Sequence, residues 1–137
     1  MNEFDSALNS YLSADATLLS LAPAGVHEAE LPQSAITNRQ AGVIFFKMSG
    51  LFLYTHQGLF ARDLLYQVKG VVPRGSGDLG GQIAAQLLAL LNNASIVVAG
   101  GRIMLMQATS DLYYLDPPTA GVRYEHNGQM YRVQVAV

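Results

Sequence analysis

Residues 75–80 read Gly-Ser-Gly-Asp-Leu-Gly, a literal G-x-G-x-x-G between a strand-like stretch and a helical one. In a dinucleotide fold such glycines let backbone N–H groups cradle a pyrophosphate at a helix N-terminus. Three features oppose that use here. The motif lies mid-chain rather than opening a βαβ unit. The next acidic residue after Asp78 is Asp111, too far on to meet a ribose, and Asp78 itself puts negative charge where phosphate would dock. The glycines are read as a turn followed by a small-residue helix start.

The remaining chemistry-bearing residues are scattered. His27 precedes Glu28 and Glu30, but a strand would put the two carboxylates on one face and the imidazole on the other, poor geometry for one ion. His56 and His126 fall in turn-like segments. No G-x-S-x-G elbow occurs. With no cysteine, thiolate metal sites and disulfides are excluded. The eight Lys and Arg residues are dispersed and the formal net charge is −2, so there is no broad basic field for gripping nucleic acid. Arg123 and Arg132 either meet across a final hairpin or both lie on a solvated face. Met104 and Met106 read as flexible core or interface filler. No catalytic residue, metal or cofactor is expected.

The elements follow from periodicity. Phe4, Ala7, Leu8, Tyr11 and Leu12 form one helical stripe, and Asp15 caps a second turn holding Leu18, Leu19 and Leu21, so the first 22 residues form one bent helical arm. Ala22 to Gly42 is mostly loop, with a short edge strand over Val26 to Leu31. Val43 to Met48 is a strand buried on most of its length. Gly50 to Arg62 reads as a hairpin turning at His56 to Gly58, and Asp63 to Val72 as a further strand. Asp78 caps a helix running to Asn92. Ile96 to Ala99 and Arg102 to Leu115 are strands, the latter alternating Met104 and Met106 against Ile103 and Leu105. Asn127–Gly128 marks a two-residue hairpin between Val122 to His126 and Gln129 to Val137, with Tyr131, Val133, Val135 and Val137 on one face. These elements make a single α+β domain over residues 1–137. A mostly antiparallel sheet of five or six strands carries an N-terminal helical arm and one long central helix.

Charged residues are 13% of the chain, about half the roughly 25% of an ordinary soluble domain, while 50% is hydrophobic. So few charges fit a subunit whose flanks are covered by other molecules. The apolar hairpin supplies the expected contact residues: Phe52, Tyr54, Phe60 and Arg62. Residues 1–15 have no basic lead and no long apolar run, so no secretory signal is expected. No run approaches the ~20 apolar residues of a membrane-spanning helix. A cytoplasmic chain that does not enter a membrane follows.

Four pieces carry a resemblance: LNSYLSADATLLSL, GVIFFKM, LLYQVKGVVPRGSGDLGGQIAAQLLALLN and GVRYEHNGQMYRVQVAV. In their order the chain resembles the tail terminator, or tail-completion, proteins of long-tailed bacteriophages. The resemblance implies a non-enzymatic subunit of a homo-oligomeric ring, commonly a hexamer, located at the head-proximal end of the virion tail after assembly in the host cytoplasm. Its implied partners are the tail tube protein, whose polymerisation it stops, and the head-tail connector. Genomic DNA passes through the lumen without specific binding. A head-closure or connector subunit, or a tube subunit, is the related alternative. A small nucleotide-binding domain using the glycine turn is the alternative from another class.

Overall fold

The computed structural model describes residues 2–117 and 123–136, and the side chains of all of these except Phe60 and Ala136. Along the chain run α1 (Glu3–Ser13), α2 (Ala16–Leu21), β1 (Val26–Glu28), α3 (Gln33–Thr37), β2 (Gly42–Thr55) and β3 (Gly58–Pro73). They are followed by α4 (Leu79–Leu91), β4 (Ser95–Val97), β5 (Ile103–Leu115) and β6 (Tyr124–Ala136). Among the described residues six strands form one sheet in the order β1-β2-β3-β6-β5-β4. Only β1 pairs in parallel, with β2; every other neighbour is antiparallel. The architecture is the α+β fold read from the sequence.

One face of this sheet carries the main core. The apolar stripe of α1 (Phe4, Leu8, Leu12) and that of α4 (Ile83, Leu87, Leu91) close over Phe45, Tyr66, Tyr131 and Met104, all essentially without exposure. The N-terminal helices are thus packed onto the sheet, and two buried polar links tie the layers together. Tyr66 donates its hydroxyl to Asp5 Oδ1 at 2.6 Å, joining β3 to α1. Gln129 donates Nε2 to the Ala84 carbonyl at 2.9 Å and accepts from Tyr131, joining β6 to α4. Burial raises both tyrosine hydroxyls far above their ordinary titration range. At the start of α2, Asp15 Oδ2 accepts from Leu18 N at 2.8 Å and from Gln86 Nε2 at 2.9 Å, so one carboxylate caps α2 and holds α4.

Several expectations change. Asn127–Gly128 is no turn: both residues lie within β6, a single strand. Neither has positive φ, as a type I′ turn demands. Glycine is required there for a different reason, because a Cβ would come within 2.2 Å of the Val68 carbonyl oxygen and 2.5 Å of Lys69 Cα. Arg123 and Arg132 consequently belong to one stretch of chain rather than facing each other. Arg132 forms a forked pair with Asp63, whereas Arg123 donates to the Asp116 carbonyl. The loop expected over residues 22–42 contains the short helix α3, and its strand is limited to β1. Pro32 sets the extended entry to α3, while Ala35 and Leu31 pack on Ile44, Val71 and Tyr124 across the sheet's second face. Asp78 stands at the N-cap of α4 but its side chain caps nothing. The glycine motif is the turn expected of it, with Gly75 and Gly77 at φ of 96° and 68°.

The apolar hairpin does turn at residues 56–57, yet it is no separate unit. It is the far end of β2 and β3, paired continuously from Gly42↔Val71 to Thr55↔Gly58. Three register shifts shape the sheet; one lies at the hairpin tip, where Phe60 is the extra residue of β3 between Leu53↔Ala61 and Tyr54↔Leu59, and the other two lie deeper. Met48 is the extra residue in β2, between the pairs Lys47↔Tyr66 and Ser49↔Leu65. Thr109 is the extra one in β5, between Ala108↔Tyr131 and Ser110↔Met130. Because Tyr66 and Tyr131 pair with each other, these two deeper bulges fall on one row, where they add bend and twist to the sheet. Tyr131, Val133 and Val135 share the core face as expected; Val137 lies outside the described residues.

Candidate assembly surface

Past the bulge at Met48, β2 leaves the helical layer and its side chains become exposed on both faces. Phe52 and Tyr54 share the helix-side face, with ring centroids 6.4 Å apart and planes tilted by 52°. Tyr54 and Leu51, on opposite faces, are each 66% exposed. Arg62, opposite Phe52 in the ladder, is half-buried. Its guanidinium lies 5.3 Å from the Phe52 ring centroid and 5.3 Å from that of Phe4. Arg102 approaches the same Phe4 ring at 5.4 Å and pairs with Glu3. The stack Phe52–Arg62–Phe4–Arg102 therefore fixes the near part of the hairpin to α1, since a cation over a ring face gains from the ring quadrupole. The structure brings Phe52, Tyr54 and Arg62 together on one surface; the Phe60 side chain lies outside the described residues.

A second group of residues was missed in the sequence. On the opposite face, Lys69 in β3 is 2% exposed. Its Nζ donates to Gln67 Oε1 at 2.6 Å and to the Tyr114 hydroxyl at 2.5 Å, and lies 5.3 Å from the Phe46 ring centroid. Tyr114 stacks on His126 with centroids 4.2 Å apart and planes 10° from parallel. His126, 7% exposed, hydrogen-bonds through Nε2 to Asp116 Oδ2 at 2.8 Å, while its buried Nδ1 has no partner among the described residues. Burial pushes the Lys69 ammonium below its usual value, against the pull of Asp116. Burial also lowers the His126 imidazole, opposed by the Asp116 hydrogen bond and reinforced by the Lys69 charge. Burial and the Asp116 carboxylate raise Tyr114. The signal in the sequence was the alternation of Gln67 and Lys69 with Tyr66 and Val68, two polar side chains on one face of the otherwise apolar stretch 64–72.

Beside this cluster, α3 and the sheet enclose an open pocket of about 680 Å3 lined by Leu31, Ile36, Ile44, Tyr124, Asp116 and His126, with Arg39 and Glu30 at its margin. His126 and Asp116 form an acid–base pair in geometry, but no hydroxyl or thiol is bonded to the imidazole among the described residues. A nucleophile activated by its base is thus not assembled. Nor do the described residues gather three His, Cys, Asp or Glu side chains where one metal ion could sit. The cluster holds β3, β5 and β6 together through buried polar contacts. No described helix is long and apolar enough to cross a membrane.

No family model and no curated protein matches the chain. Among solved structures, a chain from the virion of a native gene transfer agent particle superposes with a TM-score of 0.75. The match covers 98% of this chain and 96% of the other at 15% identity. A second solved chain matches with a TM-score of 0.55 at 17% identity, over 97% of this chain and 90% of its own. At these identities the likeness defines a shared fold, spanning essentially the whole length of both partners.

Proposed function

We propose that the chain is a structural protein of a phage-like virion, and within that class a tail terminator. In this role its copies form a ring, a hexamer in the family it resembles, that caps the tail tube, stops addition of tube protein and presents a surface to the head-tail connector. The observation that carries the reading is the near full-length superposition on a gene transfer agent virion chain. It is supported by the exposed apolar end of the β2–β3 hairpin, which a lone subunit in water leaves uncovered. The subunit works without catalysis. It sits at the head-proximal end of the tail, and DNA traverses the ring unbound, in keeping with a formal charge of −2 per copy.

The test is incubation with preformed tail tubes and free tube subunits of the same virus. A terminator binds tube ends and halts their growth, as seen by electron microscopy. Continued elongation overturns the terminator reading, and incorporation along the tube would make the chain a tube subunit. Binding to isolated portal or connector rings in preference to tubes would make it a head-closure protein.

A further inference from the structure

The sheet ends in two long stretches of unpaired backbone. β1 covers β2 only at Val43 to Phe45, and beyond Phe45 no described backbone group bonds to the outer edge of β2. On the other side β4 covers Ile103 to Leu105. Asn93 and Ala94 then bond Met106, Asn92 takes the Ala108 N–H, and residues 109–115 have no backbone partner on their outer edge among the described residues. Open edges of this kind are templates for another strand, and proteins ordinarily guard them with proline or several charges. Neither stretch contains proline, and their only charges are Lys47 on one and Asp111 on the other, opposite in sign.

We propose that neighbouring copies join edge to edge, the outer edge of β2 over residues 47–55 pairing antiparallel with the outer edge of β5 over residues 109–115 of the next copy. The inference rests on the reading of the chain as a ring subunit and names the contact that builds the ring. Its partner is a second copy for three reasons. First, the two edges are different patches of one chain, as a head-to-tail interface requires. Second, β2, β3, β6 and β5 alternate in direction, so a copy placed alongside presents β5 antiparallel to β2. Third, the side chains match by face. Ser49, Leu51 and Leu53 lie on the second face, as do Ser110, Leu112 and Tyr114, so setting Leu51 opposite Leu112 keeps both faces continuous.

That register also closes. Leu51 is level with Leu105 of its own sheet, through Asp63 and Gln134. Leu112 lies seven residues beyond Leu105, one of them the bulged Thr109, so each copy is displaced along the strands by about six residue steps, roughly 20 Å. Four strands span about 19 Å across the sheet. The strands are then inclined to the ring axis by about 45°, at the upper end of the range that closed sheets adopt.

Disulfide mapping tests the contact, because the chain has no cysteine of its own. Within one subunit positions 51 and 112 lie on β2 and β5 with β3 and β6 between them, too far apart for a disulfide, so a bond between them joins two copies. Oxidised L51C/L112C should run as covalent multimers on a non-reducing gel, at least about tenfold more than L51C/D111C, whose second cysteine faces the other side of the sheet. Equal cross-linking of both variants, or none, overturns the edge contact. If the protein still caps tail tubes in that case, the terminator reading survives. Efficient cross-linking without tube capping has the reverse meaning. Hydrogen exchange on the unaltered chain gives an independent reading: assembly should slow the amides of residues 47–55 and 109–115, and unchanged exchange there overturns the proposal.

Discussion

The two halves of β2 have nearly the same chemistry and opposite fates. Val43 and Phe45, before the bulge, have no exposure beneath the helices, whereas Leu51, Phe52 and Tyr54, after it, stand largely in solvent. Hydrophobicity therefore did not decide which residues became core. Cover did: the helical layer stays over β3, β6 and β5 as far as Leu64, Val133, Val135 and Met104, but it leaves β2 after Met48, where the Arg62 stack on Phe4 is the contact back to α1. Truncation should expose the difference. Phe45→Ala should cost about 3–5 kcal/mol of stability in urea unfolding, while Phe52→Ala should cost less than about 1 kcal/mol, as surface changes do. Comparable losses would mean that the hairpin belongs to the folding core.

The same contrast governs the glycines. Gly128→Val drives a side chain into the Val68 carbonyl and should cost about 3 kcal/mol or more, the upper end for overpacking. Gly75→Ala meets nothing and carries only its positive φ, a penalty of about 1–2 kcal/mol. Thermal melts of both variants would rank them, and a tolerated Gly128→Val would show that the Val68 and Lys69 backbone does not crowd this position. Helix starts divide likewise. Asp15→Ala should lose about 1–2 kcal/mol because it removes a real cap, and Asp78→Ala less than about 0.5 kcal/mol because it removes none.

The smallest effect concerns pH. His126 is held neutral, its pKa lower when folded than the ordinary 6.5. The unfolded chain therefore takes up the proton first as pH falls, so the contribution of this residue is complete above about 6.5 and declines below it. His126→Phe should flatten that part of the stability profile between pH 7 and 5, and an unchanged slope would show that His126 does not titrate there.

Much of this was legible in the chain. The i, i+3, i+4, i+7 spacing in α1 and α4 and the alternation around Met104 and Met106 report the burial of one face, and both patterns are set locally. What failed were positions decided by distant partners. Asn127–Gly128 has the best local turn chemistry in the chain, but two neighbouring strands impose extension and need the missing Cβ. Helix α3 is too short for periodicity and is held by its contacts with Ile44 and Val71. The Lys69 cluster depends on Tyr114 and His126 arriving from other strands. Of the expected contact residues, the exposure of Tyr54 followed from the hairpin, whereas the engagement of Arg62 with Phe4 needed the packing of α1.

Each bulge also reverses the odd–even bookkeeping of its strand. Before Met48 the odd-numbered residues of β2 look toward the helices, and after it the even-numbered ones do. Without that one inserted residue Phe52 would point away from Arg62, and Leu51 and Leu53 would take its side, with no change in the composition of the tip. One backbone residue thus acts as the selector of which set of side chains the hairpin shows to the outside.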